Sequence, residues 1–146
     1  MREIKFRGKR LSDGKWVYGD LEYSRYNNTT RIHVYDEEGL YDRQEKVNRA
    51  TVGQYTGLKD KNGKEIYEGD IVQYYDDVED ELVDGVVSYK ADYCSYCIET
   101  EKYDPASLSA FWQFEVIGNI HEQGKEVNNG KHPKDQEKAE TRDSGR

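Results

Sequence analysis

Only two prolines, two cysteines, one methionine and three phenylalanines occur in 146 residues. Each scarcity narrows the reading. Before residue 122 proline is nearly missing, Pro105 being the only one, so strands can run without an imposed break. Two cysteines are too few for a disulfide framework, and in a cytoplasmic chain they read as reduced thiols. There is no apolar run long enough to span a bilayer. No apolar signal region follows Met1, and the charged opening MREIKFRGKR leads us to expect a cytoplasmic protein without membrane attachment. An excess of positive charge is also missing. The net charge of −8 argues against sequence-independent phosphate binding, which depends on clustered Lys and Arg. The N-terminal stretch is locally basic, with Arg2, Lys5, Arg7, Lys9, Arg10 and Lys15 against Glu3 and Asp13, but strand alternation spreads these charges over two faces.

Tyrosine is what the chain has in quantity, 13 against two Trp. Apolar residues make up 34% and charged residues 36%, so a core forms only if most of the Trp, Tyr, Ile, Val and Leu side chains converge on it. Tyrosine suits such a shallow core because the ring packs while the hydroxyl reaches water. The same property also suits an interaction face.

Apolar and polar residues alternate between turn signals from residue 1 to 121, which predicts short strands and a mainly β domain. Either a small barrel-like arrangement or two short antiparallel sheets with tight hairpins satisfies the pattern, with at most one short helix. Residues 122–146 lose nearly every aliphatic and aromatic side chain, leaving Val127 and Ala139, and are expected to be a disordered charged tail. Strands are expected around Ile4 and Phe6, over KWVYGDLEY, over Arg31–Tyr35, Asp70–Tyr75, Gly85–Lys90 and Tyr93–Glu99, and as a central strand over Phe111–His121. A two-residue Asp13-Gly14 turn would set Leu11 against Trp16. At Asn62-Gly63 a two-residue loop would oppose Asp60 and Glu65. A three-residue loop, Lys61-Asn62-Gly63 with Gly63 left-handed, instead opposes Asp60 to Lys64, Lys59 to Glu65 and Leu58 to Ile66, and is favoured. A bend at Glu68-Gly69-Asp70 follows. The run Asp76–Asp84 contains no Lys or Arg and reads as a solvated connection, or as an acidic patch for a basic partner. Asp104 and Pro105 suit the start of one helical turn.

Chemistry-bearing patterns are sparse. Cys94-Ser95-Tyr96-Cys97 is a lone pair of thiols, whereas a structural zinc site needs four ligands. The remaining candidates are His33, His121 and His132, and strand alternation sends the two cysteines to opposite faces. No metal or cofactor is therefore expected. Gly53, Gly57, Gly63 and Gly69 match neither phosphate-binding glycine pattern and read as turn and bulge glycines. Glu68 and Asp70 flank a bend, which explains them without acid–base chemistry. No serine stands in a nucleophile-elbow context. An enzyme is not expected, and its weakest form would use Glu68 and Asp70 as acids with Lys59 or Lys61 contacting an anion.

Three blocks carry a resemblance: REIKFRGKRLSDGKWVYGDL, TVGQYTGLKDKNGKEIYEGDIV and FEVIGNIHE. In order and spacing the chain resembles the YopX-like family of phage and prophage proteins over about 120 residues. The acidic Asp76–Asp84 segment, the cysteine pair and the tail depart from that pattern. The resemblance implies a β-dominated fold and self-association, but no activity and no catalytic residues. The expected role is a phage accessory protein that binds a host or phage protein in the bacterial cytoplasm. The alternative is a nucleic-acid-binding module using the basic N-terminal hairpin and Tyr or Trp stacking. The candidate binding residues, on the surface of the N-terminal hairpin and the central block, are Trp16, Tyr55, Lys59, Lys61, Asn62, Glu68 and Asp70.

Overall fold

The computed structural model describes residues 1–110, 113–122 and 129–131, and places eleven strands in two antiparallel sheets. Two single 3-10 turns, Ala91–Tyr93 and Leu108–Ala110, are the helical elements among those residues. The chain is mainly β, as the alternation predicts. It divides into two compact units, residues 1–58 with 65–68, and residues 59–64 with 69 onward.

In the first unit β1 (Phe6–Arg10) pairs with β2 (Trp16–Ser24), β2 with β3 (Thr29–Tyr35), and β3 with β4 (Tyr41–Lys59). β4 then pairs back onto β1, from Phe6 opposite Gln54 to Arg10 opposite Val47. The hydrogen-bonded circuit of four strands is therefore closed, and the short β5 (Glu65–Tyr67) adds beside β4. The closure runs through β4, whose first residues pair with β3 and whose later ones pair with β1. β4 has 19 residues, and its first half, YDRQEKVNRA, is too polar for the alternation to reveal. Where the β1–β4 register slips, Thr51 bridges the gap: its Oγ1 accepts the Lys9 N–H at 2.8 Å and its hydroxyl donates to the Asn48 carbonyl at 2.6 Å. Inside the circuit Val17, Ile32 and Val47 are buried, flanked by Phe6, Val34 and Val52. Each such side chain contributes roughly 1.5–3 kcal/mol of burial.

The first hairpin differs from expectation. Lys9 faces Trp16 and the Arg10 N–H donates to the Lys15 carbonyl, so the turn holds four residues, not two. Leu11 does not oppose Trp16. It is 64% exposed, and its N–H donates to the Lys46 carbonyl of β4. Asp13 closes the longer turn by accepting from the Lys15 N–H and from the Arg10 guanidinium.

The second unit orders its strands β10–β6–β7–β8–β9, with β11 (Asn129–Lys131) also on β7. β6 (Asp70–Asp76) and β7 (Glu81–Lys90) form a hairpin with Asp76 opposite Glu81. Most of the acidic run is thus strand or tight turn rather than a long solvated connection. Glu81, Val83 and Asp84 are buried, and Asp84 accepts the Gln73 amide at 2.7 Å. Strand β8 (Ser95–Glu99) follows the first 3-10 turn, and β9 (Ala106–Ser107) precedes the second, so the helical turn begins at Leu108 rather than Pro105. β10 (Glu115–Asn119) pairs with β6 at one end of the described sheet order rather than centrally. Ile71, Val72, Tyr74, Val83, Val87, Cys97, Ile98, Leu108 and Phe114 are buried in the second unit. Phe111, Trp112, His132 and the tail beyond residue 131 lie outside the described residues.

Candidate functional site

Between Asp60 and Lys64 the chain makes the three-residue loop that the charge pattern favours. The Asp60 N–H donates to the Lys64 carbonyl at 2.8 Å, and Gly63 has φ +80. Glycine occupies this left-handed position without the clash that a β-carbon brings. Asp60 is the turn's organiser. Its Oδ1 accepts the N–H groups of Asn62 and Lys64, while Oδ2 accepts the Val116 N–H of β10 at 3.0 Å. Burial pushes the Asp60 carboxyl upward, but the donors Val116, Lys64 and Asn62 outweigh it and hold the carboxyl below its ordinary value. Lys61 extends from the loop to Glu115 at 3.3 Å. Farther along, the Glu68 N–H donates to the Gln54 carbonyl, a pairing offset by two residues from the turn, so β4 holds extra residues around Gly57.

Three cations and several rings interleave in the first unit. The buried Arg7 guanidinium lies 4.5 Å from the Trp16 ring centre and 4.9 Å from that of Tyr67, and donates to the Glu68 carbonyl at 3.3 Å. Lys9 lies 5.4 Å from the Trp16 ring. Lys5 reaches Glu65 at 2.7 Å and the Tyr55 ring at 5.3 Å. Burial depresses the Lys5 ammonium, yet hydrogen bonding to Glu65 and Glu3 more than restores it and raises it above its ordinary value. Tyr67 is raised chiefly by burial and further by the Glu65 charge, so it stays a neutral phenol. Gly53 allows this packing: a β-carbon there would sit 2.5 Å from the Glu68 carbonyl oxygen.

The seven residues singled out by sequence are thus divided between the units. Trp16 is half-buried under cations, and Glu68 is half-buried with its carboxylate on the Gln54 N–H at 2.8 Å. Lys59, Lys61 and Asn62 are exposed at the hairpin end. Tyr55 and Asp70, at 4% and 1% exposure, are interior and present no binding surface. Glu68 and Asp70 flank the Gly69 turn, each on its own side of the unit division. Cys94 sits exposed in a left-handed position after a 3-10 turn, Cys97 is fully buried on β8, and both are free thiols. Among the described residues no three His, Cys, Asp or Glu side chains are grouped to hold a metal ion.

A family model described as YopX protein matches residues 5–126. The chain belongs to the YopX protein family. A search of curated proteins finds no match. The match spans β1 to β10 and includes all seven candidate residues, so the family pattern extends through both units. No helix among the described residues is long and apolar enough to cross a membrane.

One surface escaped the sequence reading. On the β2–β3–β4 sheet, Arg31, His33 and Tyr35 follow one another along a single face of β3. Glu22 of β2 accepts from Arg31 at 3.4 Å and contacts His33 at 2.6 Å, and the Tyr35 hydroxyl donates to Asp20 at 3.0 Å. Hydrogen bonding to His33 holds Glu22 below the usual carboxylate range. Tyr41, at the start of β4, adds its ring 5.9 Å from His33 and 6.3 Å from Tyr35. Tyr35 is 42% and Tyr41 57% exposed. The alternation in RIHVY already placed Arg31, His33 and Tyr35 together. Tyr41 was hidden because its strand looked polar.

Proposed function

We propose that this YopX-family chain is a phage or prophage accessory protein that binds another protein through the β2–β3–β4 face of its first unit. The observation carrying the proposal is the exposed Tyr35–Tyr41 pair, its rings packed edge to face and the Tyr35 hydroxyl bonded to Asp20. Tyrosine, arginine and histidine on a sheet offer apolar area with polar handles, and tyrosine loses little conformational freedom on binding. Here Asp20 and Glu22 fix the neighbouring side chains before any partner arrives, which lowers the ordering cost of association. The reading carries no catalytic role.

The test is capture from host lysate by the full chain beside a Tyr35→Ala/Tyr41→Ala double variant. A protein retained by the parent and lost from the folded double variant is the expected result. Equal capture by both removes this face from the proposal. The nucleic-acid alternative is weakened at Trp16, whose ring already carries Arg7 and Lys9 and so has less free area for a base. A gel shift against single and double strands at low and high salt decides it, salt-sensitive binding at micromolar protein being the result that revives it.

A further inference from the structure

The second unit contains a pocket of ≈ 310 Å³ that the reading above does not use. That volume is at the small end for ligand sites and suits a slender molecule or one long side chain. Ile98 of β8 and Ala106 of β9 give the pocket apolar lining. The buried Tyr74 of β6 and Tyr103 on the connection after β8 give it aromatic lining. Three carboxylates, Asp76, Asp77 and Asp104, line the same pocket.

Asp76 is committed within the fold, its Oδ1 accepting the N–H groups of Val78 and Glu79 at 3.0 and 3.2 Å. Asp77 and Asp104 are exposed and form no ion pair among the described residues. The nearby cation, Lys102, is paired with Glu81 and lies 5.1 Å from the Tyr103 ring. Its charge is thus offset by Glu81, and it is not among the residues that line the pocket. An aromatic wall attracts a cation through the ring quadrupole, and carboxylates add charge-assisted hydrogen bonds. An anion would meet three like charges. A neutral apolar ligand would gain nothing from the acids.

We propose that this pocket binds an organic cation, a guanidinium or alkylammonium carried on an aliphatic stem. Such a group is available as a free amine or as the basic side chain of a peptide, and the test separates these sources. The full chain is titrated by calorimetry with agmatine, with N-acetyl-arginine methylamide, and with N-acetyl-citrulline methylamide as the uncharged isostere. Saturable binding of at least one cation, about tenfold tighter than citrulline, is expected. Tighter agmatine identifies a free amine as the natural class, and tighter acetyl-arginine a peptide side chain. Asp77→Asn/Asp104→Asn, both at exposed positions that leave the fold intact, should weaken the cation several-fold. Equal affinity for citrulline, no saturable binding of either cation, or binding unchanged in the double variant would each overturn the proposal.

Discussion

Arg7 is only 5% exposed, between two aromatic rings and beneath a backbone carbonyl. Its value lies as much in packing as in charge, so Arg7→Ala should cost roughly 2–4 kcal/mol, read from the urea midpoint. Arg7→Lys should recover only part, since a compact ammonium does not span two rings. Nothing in a run of alternating bases distinguishes this arginine from Lys5 or Lys9, because its burial is created by Tyr67 and Glu68, far along the chain. Asp60 offers a pH test. Its carboxyl is held below its ordinary 3.8 in the folded chain, so its stabilisation is present above that value and is lost as pH falls through the lower folded value. Asp60→Asn should therefore cost about 1–3 kcal/mol at neutral pH. The gap in urea midpoint between parent and variant should close on acidification below the ordinary carboxylate range, and a pH-independent gap would refute this.

Among elements, the Lys61–Gly63 loop was legible because its determinants are neighbours: a left-handed glycine and the opposed charges of Asp60 and Lys64. Gly63→Ala should cost about 1 kcal/mol, and Gly63→Asn less, since asparagine tolerates the left-handed region. Gly53→Ala should cost more, about 2 kcal/mol or above, because a β-carbon 2.5 Å from the Glu68 oxygen forces backbone to move. Thermal or urea unfolding of the two variants ranks them, and the reverse order would contradict the close approach. The β1–β2 turn was not legible, since Leu11 answers to the Lys46 carbonyl rather than to its own hairpin. The acidic run misled for a related reason. Glu81 and Asp84 are strand residues whose partners, Lys102, Tyr103 and Gln73, are supplied by other segments.

For the whole molecule, the alternation of apolar and polar residues predicted the class and left the arrangement open between barrel and two sheets. Both features occur, a closed circuit in one unit and an open sheet in the other. A short strand such as β9 at the end of a sheet, in so polar a chain, invites pairing with a second copy. Light scattering should give a mass above the 17.1 kDa of one chain, and a monomer at high concentration would refute self-association. The division into units has a consequence for genetics. The backbone passes from the first unit to the second after Leu58, returns at Glu65, and leaves again after Glu68. A break before Lys59 strips β5 from the first unit, and one after Glu68 strips the Lys61–Gly63 loop from the second. No single crossover point therefore yields two whole halves. A recombinant that exchanges one unit for a foreign one keeps both intact only by carrying Lys59–Glu68 twice, so this gene should be inherited and shuffled as one indivisible cassette.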